Sequence, residues 1–316
     1  MKISVLETNM LTSGDISLSP LEALGDVDFY NKLTDDQIVK LCSESEVILC
    51  TKTLFHKELI DLLPKLKLIC VFATGYNNID TSYAASKGIL VANAPAYSTE
   101  SVVQHVFSLV LNLAGNTYKY INSTSRGEWI TSPTFSYFNI PIIELNGKTL
   151  GIVGYGAIGK RVAELGNAFG MKVLVCTRTK KDDCPYPQMT VDEMLPLCDF
   201  VSLNCPLNED TKELINAERL AKMKSSAFII NAARGPVVDE AAIADALFSG
   251  GIAGYGADVL STEPMSPDSP LVSAPNCILT PHIAWASLEA RTRLMEICVN
   301  NIKGYIDGTP VNLVNQ

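Results

Sequence analysis

The sequence predicts an α/β protein with two doubly wound domains, each built on a parallel β-sheet. Short apolar runs alternate with helical patterns along most of the chain, as in repeated β-α-β units. Between residues 148 and 176 a strand pattern, a glycine-rich turn, a helical pattern and a second strand follow one another. At 316 residues the chain has the length of about two domains.

The first hundred residues predict a small α/β domain. Thr34 is the expected cap of the first of its helices, with Asp35 and Asp36 in the first turn. The segment 73–80 is rich in turn residues and follows a strand, at the sheet edge where open α/β sheets bind ligands. The predicted strands are 3–6, 47–50, 68–72 and 90–92, and the predicted helices are 33–42, 57–63 and 82–87.

A crossing segment at 95–98 leads into a long helix, which we predict over 99–120. The following stretch, 126–141, is aromatic and turn-rich without a clear period, so it is either a packed loop or an oligomer contact. Beyond it the strand and helix patterns resume. The predicted strands are 150–153, 172–176, 200–204, 227–231, 254–258 and 278–280, and the predicted helices include 191–197, 216–222, 240–249 and 287–307.

Three glycines after the strand at 150–153 fit a dinucleotide-binding turn. Gly154 permits the tight turn, and Gly156 lets the backbone approach a pyrophosphate. Gly159 lets the helix pack close to the sheet, so that its free N–H groups and positive dipole end face the phosphates. A structural glycine-rich turn would not require glycine at all three of these positions.

Composition excludes several classes of function. A net charge of −9 argues against nucleic-acid or anionic-membrane partners, which require a basic surface. The nine cysteines form no C-x-x-C pair and mostly lie in apolar runs, so they indicate buried thiols in a reducing compartment. No cluster of ligands indicates a metal site. The most apolar helix is interrupted by polar residues and cannot span a bilayer, so we expect a cytoplasmic protein.

Five ordered motifs resemble the D-isomer-specific 2-hydroxyacid dehydrogenases over essentially the full chain. They are Ala73-Thr-Gly-Tyr-Asn-Asn-Ile-Asp80, the glycine pattern, Ile230-Asn-Ala-Ala-Arg-Gly-Pro-Val-Val-Asp-Glu240, Gly256-Ala-Asp-Val-Leu-Ser-Thr-Glu-Pro264 and Thr280-Pro-His-Ile-Ala284. The segments 94–104 and 281–287 are most similar to the glycerate dehydrogenase (hydroxypyruvate reductase) branch. The resemblance implies a substrate (catalytic) domain of residues 1–98 and 286–316, with an NAD(P)-binding, Rossmann-type domain of 99–285 inserted into it.

The resemblance also implies that Arg234, Glu263 and His282 are catalytic. Reduction of a 2-oxo acid requires a hydride and a proton, and the cofactor supplies only the hydride. His282 can hold and release a proton near neutral pH, and Glu263 would orient its imidazole. The planar, permanently charged Arg234 suits a carboxylate with an adjacent carbonyl. His56 and His105 have no such loop around them, and we expect them to be solvated or packed.

Ligand contacts follow from the same motifs. Backbone N–H groups of Thr74 and Gly75, together with Arg234, would bind the substrate carboxylate. Asp258 would accept from the nicotinamide carboxamide. The expected cofactor-binding residues are Gly154, Gly156, Ala157, Ile158, Gly159, Thr177, Arg178, Cys205, Pro206, Thr211, Ala232, Ala233, Arg234, Asp258, His282 and Ala284.

The strand after the glycine turn favours NADP(H), with NAD(H) as the alternative. Thr177 stands where NAD-preferring members carry the acidic residue that binds the ribose diol. Arg178 follows it and is placed to pair with a 2′-phosphate, whereas Asp182 and Asp183 are near enough to weaken a basic patch. A solvated basic loop is the other interpretation.

The leading hypothesis is an NAD(P)H-dependent reductase that converts hydroxypyruvate, and glyoxylate, to the D-2-hydroxy acid. Another D-2-hydroxyacid dehydrogenase, of the phosphoglycerate, lactate or formate type, is the alternative within the class. A non-catalytic NAD(H)-sensing protein related to corepressors is the alternative outside it, although a sensor would not need a proton donor. The resemblance and the long helix also indicate a homodimer.

Overall fold

The computed structural model describes residues 1–315, which divide into two compact units. The first unit comprises Met1–Ser98 together with residues 286–315, and the second comprises Thr99–Trp285. The second unit is therefore an insertion between two segments of the first. Each unit has its own parallel sheet, and the predicted α/β fold class is confirmed.

The first unit is built on a five-stranded sheet in the order β2-β1-β3-β4-β5. Its strands are β1 (Lys2–Val5), β2 (Asp26–Phe29), β3 (Val47–Cys50), β4 (Leu68–Val71) and β5 (Leu90–Ala92). Its helices are α1 (Ser19–Glu22), α2 (Asp35–Cys42), α3 (Lys57–Asp61), α4 (Thr81–Ser86) and, after the second unit, α11 (Leu288–Ile306). Every residue of β3 and β4 is buried, as expected for central strands covered on both faces.

The helix cap predicted at Thr34 is confirmed. The Thr34 side chain accepts a hydrogen bond from the Gln37 N–H, and the Gln37 side chain accepts from the Thr34 N–H in return. Ser287 caps α11 by accepting from the Ala290 N–H. The strand β2 was not predicted. Only alternate residues of this edge strand, Val27 and Phe29, are apolar, so it lacks the continuous apolar run of a central strand.

The second unit is built on a six-stranded sheet in the order β11-β10-β9-β8-β6-β7. Its strands are β6 (Thr149–Val153), β7 (Lys172–Cys176), β8 (Phe200–Leu203), β9 (Phe228–Asn231), β10 (Gly254–Ala257) and β11 (Cys277–Leu279). Its helices are α5 (Thr99–Gly115), α6 (Thr117–Ser125), α7 (Ala157–Ala168), α8 (Val191–Met194), α9 (Ala217–Leu220) and α10 (Glu240–Ser249). All six predicted strands are present.

Alternate residues of these strands enter two separate cores, one on each face of the sheet. On β9, Phe228 and Ile230 pack in the core that α5 and α7 cover, whereas Ile229 packs in the core beneath α10. The Phe228 ring stacks on Phe200 with 4.9 Å between centroids. Burial on both faces leaves the strand ends as the part of the sheet that can meet a ligand.

The prediction of a single long helix over 99–120 is wrong. Asn116 has a left-handed φ of 48° and separates α5 from α6. Asparagine tolerates this conformation better than most residues, and a glycine beside it further weakens helix propagation. The stretch 126–141 has neither helix nor strand.

Candidate active site

The three predicted catalytic side chains lie on loops that follow neighbouring strands of the six-stranded sheet. Arg234 follows β9, Glu263 follows β10 and His282 follows β11. Because the three strands are parallel and adjacent, their carboxyl ends lie along one edge of the sheet. Residues that are far apart in sequence therefore belong to one loop cluster.

His282 and Glu263 form a hydrogen-bonded pair. Nδ1 of His282 lies 2.7 Å from Oε2 of Glu263, and the backbone N–H of Leu260 donates to the other oxygen, Oε1, at 3.1 Å. The two side chains keep 29% and 33% of their exposure, so they remain accessible to a ligand. Nδ1 is engaged, and Nε2 has no hydrogen-bond partner among residues 1–315. Nε2 is thus the nitrogen that can exchange a proton with a bound molecule.

The backbone of His282 is fixed in an uncommon conformation. Its φ of 55° is left-handed. The His282 N–H donates to the carbonyl oxygen of Asp258 at 2.8 Å, and the His282 carbonyl accepts from Nε1 of Trp285 at 2.9 Å. These bonds hold the residue where its side chain reaches Glu263.

The Asp258 carboxylate organises the same loop from within the protein. The side chain is 1% exposed. Its Oδ1 accepts from the Thr280 hydroxyl at 2.6 Å and from the Ile283 N–H at 2.9 Å, and its Oδ2 accepts from the Ala284 N–H at 2.7 Å. This network gives Asp258 a role in shaping the loop that was not expected from the sequence. Its contact with a nicotinamide carboxamide stays a prediction.

His105, to which the sequence assigned no role, lies directly against this network. Its Nε2 is 2.8 Å from the Thr280 hydroxyl oxygen and 3.4 Å from Oδ1 of Asp258, and the side chain is 17% exposed. The residue is therefore packed, as expected, but packed behind the loop that carries His282. The available signal was a polar side chain between the buried residues Val103 and Val106 of α5.

A buried asparagine shapes the loop of Arg234. Asn231 is fully buried at the end of β9; its Nδ2 donates to the Arg234 carbonyl at 3.0 Å, and its Oδ1 accepts from the Ala233 N–H at 3.1 Å. A Cβ on Gly235 would lie 1.9 Å from the Leu260 carbonyl carbon, so this loop contacts the loop of Glu263 through a position that only glycine can fill. Sequence reasoning overlooked Asn231, although a polar residue ending a buried strand was the available signal.

The Arg234 guanidinium is exposed and largely uncommitted. Its only hydrogen bond within residues 1–315 runs from Nη1 to the Ala233 carbonyl at 2.7 Å. No carboxylate of the described residues pairs with it. The remaining N–H donors are available for an anionic ligand.

The glycine turn after β6 is tight and closely packed. Gly154 has a φ of 91°, and a Cβ there would lie 2.8 Å from the backbone of Asn204. A Cβ on Gly159 would lie 2.0 Å from the Gly154 carbonyl oxygen. Neither position accepts a side chain, which confirms the tight turn and the close packing of α7.

Gly156, by contrast, faces open space. A Cβ there would meet nothing within 4 Å. Gly156 precedes the first residue of α7, Ala157, and gives the helix no side-chain cap, so the N–H groups of the first turn, including that of Ile158, have no partner within the helix. Open space beside free N–H groups at a helix N-terminus fits a pyrophosphate.

In the loop after β7, Asp183 forms an ion pair with Lys160 of α7, whereas Arg178 has no such partner among residues 1–315. Lys160 forms an ion pair with Asp183 and holds the pKa of that carboxyl below its usual value. Arg178 makes no hydrogen bond or ion pair with any residue from 1 to 315, and the Thr177 hydroxyl donates to the Thr179 carbonyl at 2.8 Å. Asp183 therefore does not neutralise Arg178.

The other predicted cofactor-binding residues of the second unit follow strands β8, β9 and β11. Cys205 is 8% exposed, and burial raises the pKa of its thiol to about 11, so the thiol is neutral. Thr211 closes its loop by donating to the Pro206 carbonyl at 2.6 Å. Ala232 lies in the loop of Arg234, and Ala284 is buried. Whether these residues contact the cofactor stays a prediction.

Thr74 and Gly75 belong to the first unit, in the loop after β4. The Thr74 hydroxyl donates to the Ala94 carbonyl at 2.8 Å, and Nδ2 of Asn93 donates to the Thr74 carbonyl at 2.7 Å. Within the described chain, the backbone N–H groups of Thr74 and Gly75 donate to no other residue. Two free N–H groups in succession suit an anion such as a carboxylate.

The described residues contain neither a metal-binding cluster nor a membrane-spanning helix. Residues 1–315 contain no group of three or more His, Cys, Asp or Glu side chains arranged to hold a metal ion. In the same part of the chain, no helix combines the length and the apolarity required to cross a bilayer.

The sequence is similar to a family model and to known proteins. The family model of the D-isomer specific 2-hydroxyacid dehydrogenase, NAD binding domain, matches residues 107–284. The chain is 40% identical to a hydroxypyruvate reductase of Blautia hydrogenotrophica, with both chains covered completely. It is also 40% identical to a glycerate dehydrogenase of Methylorubrum extorquens, over 91% of each chain.

Two solved structures are similar to this chain over almost its full length. An NADPH-dependent glyoxylate/hydroxypyruvate reductase from Sinorhizobium meliloti, in complex with NADP and malonate, superposes with a TM-score of 0.86 at 29% identity, covering 99% of this chain and 96% of that chain. A D-lactate dehydrogenase from Aquifex aeolicus, complexed with NAD and lactic acid, gives a TM-score of 0.85 at 31% identity, with 99% of each chain covered.

Proposed function

Because the chain belongs to the D-isomer-specific 2-hydroxyacid dehydrogenases, we propose that it reduces hydroxypyruvate, and also glyoxylate, to the corresponding 2-hydroxy acid. Membership makes it an oxidoreductase that binds a nicotinamide cofactor. The observation that carries the substrate assignment is the pairing of His282 with Glu263 in a chain that is 40% identical, over its full length, to a hydroxypyruvate reductase. From hydroxypyruvate the product is D-glycerate, and from glyoxylate it is glycolate.

The loop cluster supplies the proton and the charge that this reduction requires. When bound, the reduced nicotinamide supplies a hydride to the carbonyl carbon. His282 donates a proton from Nε2 to the carbonyl oxygen, and Glu263 stabilises the imidazolium before transfer and holds the ring in place afterwards. The exposed guanidinium of Arg234 binds the carboxylate and polarises the adjacent carbonyl. In the first unit, the free N–H groups of Thr74 and Gly75 also suit a substrate carboxylate.

We further propose that the preferred cofactor is NADP(H). Arg178 has no anionic partner in residues 1–315, and Thr177 replaces the carboxylate that would repel a 2′-phosphate. One similar structure was solved with NADP and another with NAD, so the similar structures alone do not decide between the two cofactors. The pairing of Asp183 with Lys160 favours NADP(H), because it leaves Arg178 free for the phosphate.

The alternatives are less well supported. A nucleotide sensor would not need a histidine that is paired with a carboxylate, and that pair is present here. Reduction of pyruvate by a lactate-type enzyme differs only in the substrate side chain. It is therefore best separated by assay.

The test is a panel of hydroxypyruvate, glyoxylate and pyruvate, each with NADH and with NADPH. We expect the highest kcat/KM with hydroxypyruvate and NADPH. His282→Ala is the control for activity from contaminating reductases. Reduction of pyruvate in preference to hydroxypyruvate would contradict the substrate assignment, and oxidation of neither cofactor with any acid would contradict the proposed reaction.

The aromatic stretch after α6 supports a homodimer. Ile130, Phe135 and Phe138 are 88%, 90% and 80% exposed, which is unusual for neighbouring large apolar side chains on a monomer. We propose that a second copy of the chain covers them. Light scattering at micromolar concentration should give the mass of two chains, and Phe135→Asp should lower it. A parent protein that is monomeric under these conditions would contradict the dimer.

A further inference from the structure

In the first unit, a series of hydrogen-bonded asparagine side chains leads from the exposed Asn312, near the end of the chain, through two buried asparagines to the loop of Thr74. Asn93 follows β5, and its Nδ2 donates to the Thr74 carbonyl at 2.7 Å. The Asn93 carbonyl in turn accepts from Nδ2 of Asn301, on α11, at 2.9 Å. Oδ1 of Asn301 accepts from Nδ2 of Asn312 at 2.8 Å. We call Asn312, Asn301 and Asn93 the asparagine relay.

Two of the three asparagines of the relay are buried, whereas Asn312 is exposed. Asn301 is 1% exposed and Asn93 is 8% exposed. Burial of an amide without partners is costly, whereas here each of these two side chains is hydrogen-bonded. The bonds also fix the orientation of the Asn301 amide, because its Nδ2 donates to the Asn93 carbonyl while its Oδ1 accepts from Asn312.

The position of the relay favours a role beyond packing. An apolar residue at 301 would fit among the buried apolar residues of α11, such as Cys298 and Ile302. The Asn301 amide instead bonds the backbone of Asn93, 208 positions away in sequence. A second bond closes the arrangement, because the Asn93 N–H donates to the Asn312 carbonyl at 3.1 Å.

We propose that Asn93 and Asn301 are positioning residues for the substrate carboxylate. They hold the backbone of Thr74, and this fixes the spacing of the free N–H groups of Thr74 and Gly75. The inference rests on the proposed function, which assigns these two N–H groups to the carboxylate of a 2-oxo acid. It predicts that damage to the relay weakens substrate binding and leaves hydride and proton transfer intact.

The chain provides a matched control in the same terminal segment. Asn315 accepts from the Val91 N–H at 2.8 Å and donates to the Ile89 carbonyl at 2.8 Å. It thus makes one hydrogen bond to β5 and one to the residue before it, but none to Asn93 or Asn301. Asn315→Ala should cost stability comparable to that lost with Asn301→Ala, without moving the Thr74 loop.

The experiment compares four variants of the full-length protein by steady-state kinetics with hydroxypyruvate and NADPH. Asn93→Ala should raise the KM for hydroxypyruvate by about three- to tenfold, and Asn301→Ala by about two- to fivefold, the effect expected when one hydrogen bond is lost. Asn312→Gly removes an exposed amide and keeps the left-handed φ of 54°, so it should fold normally and raise this KM by about twofold. For all three variants kcat and the KM for NADPH should stay unchanged, and Asn315→Ala should change none of the three constants.

A second measurement does not depend on turnover. Oxamate, an unreactive analogue of a 2-oxo acid, should raise the Tm of the parent saturated with cofactor, and the relay variants should require more oxamate for the same shift. If the parent reduces no 2-oxo acid, the proposed function fails, and the oxamate titration still decides the inference. The inference is overturned if the parent does not bind oxamate, if the relay variants behave like Asn315→Ala, or if kcat falls while KM is unchanged.

Discussion

The two regions assigned to the substrate are built from different chemical groups. In the second unit, the loops after β9, β10 and β11 present charged and titratable side chains: Arg234, Glu263 and His282. In the first unit, the loop after β4 presents backbone N–H groups, those of Thr74 and Gly75. The first set is held by its own hydrogen bonds and by the buried Asn231 and Asp258. The second set is held by neutral amides from distant parts of the chain.

Because the two regions use different groups, we expect each of them to determine a different kinetic constant. A proton donor must change its charge during the reaction, so it has to be a side chain with an accessible nitrogen. A carboxylate-binding turn only has to keep its amides in place, and a neutral amide network does so without adding charge. Substitutions of the proton donor His282 should therefore act mainly on kcat, and those around Thr74 mainly on the KM for the substrate.

The largest expected effect is at His282. His282→Ala should lower kcat by about 10²–10⁴-fold, because the proton donor is lost while the cofactor-binding turn is untouched. Stopped-flow and steady-state assays with hydroxypyruvate measure kcat, and fluorescence titration measures the Kd for NADPH. His56→Ala, at an exposed histidine of the first unit, should retain full activity. If His282→Ala has a kcat within a few-fold of the parent value, the assignment of His282 as the proton donor is contradicted.

Arg234→Lys tests whether the planar shape of the guanidinium contributes to carboxylate binding in addition to its charge. Lysine keeps the positive charge but cannot make two parallel hydrogen bonds to a carboxylate, so we expect kcat/KM for hydroxypyruvate to fall by about 30- to 100-fold. Arg219→Lys, at a surface ion pair with Asp192, is the control and should be neutral. Equal activity of Arg234→Lys and the parent would show that charge alone suffices.

Arg178→Ala should affect only one of the two cofactors. Loss of a charge-assisted hydrogen bond should raise the KM for NADPH by about 10- to 100-fold, whereas the KM for NADH should stay unchanged because it lacks the 2′-phosphate. The NADPH effect should decrease as salt increases. Thr177→Asp should turn preference toward NADH by repelling the phosphate.

The cofactor result is contradicted by either of two outcomes. A parent that already prefers NADH would show that Arg178 is a solvated loop residue. The same conclusion would follow if Arg178→Ala weakened both cofactors equally. Lys180→Ala, two positions along the same exposed loop, is the matched control for charge.

The smallest expected effect is at Gly156. Because a Cβ there meets no protein atom, Gly156→Ala should leave the Tm unchanged and raise the Kd for NADPH by about three- to tenfold through contact with the pyrophosphate. Gly159→Ala provides the contrast, since its Cβ would collide with the Gly154 carbonyl and lower the Tm. Unchanged affinity in Gly156→Ala would place the phosphates elsewhere.

The sequence predicted those parts of the molecule that depend on local pattern. Central strands such as β3 and β9 were found because continuous apolar runs mark burial on both faces. The positions of Gly154 and Gly159 were found because backbone geometry allows no other residue there. The pairing of His282 with Glu263 was found through the family motifs, since nothing local relates two residues 19 positions apart.

What the sequence did not predict depends on long-range contacts or on competing local signals. The apolar pattern of α5 continues past Gly115, and it concealed the break at Asn116. His105, Asn231 and Asn301 gain their roles from partners that folding brings to them, such as Thr280 for His105. A polar residue within an apolar pattern marks such a position but does not identify its partner.

The most direct test follows the hydride from the cofactor into the product. The parent protein is incubated with hydroxypyruvate and NADPH that carries deuterium at both C4 positions, and the glycerate is analysed by mass spectrometry and chiral chromatography. We predict D-glycerate with one deuterium at C2, formed in equal amount to the NADP⁺, and formed with His282→Ala at least about a hundredfold more slowly. Glycerate without deuterium, L-glycerate, or no glycerate at all would contradict the proposed reaction.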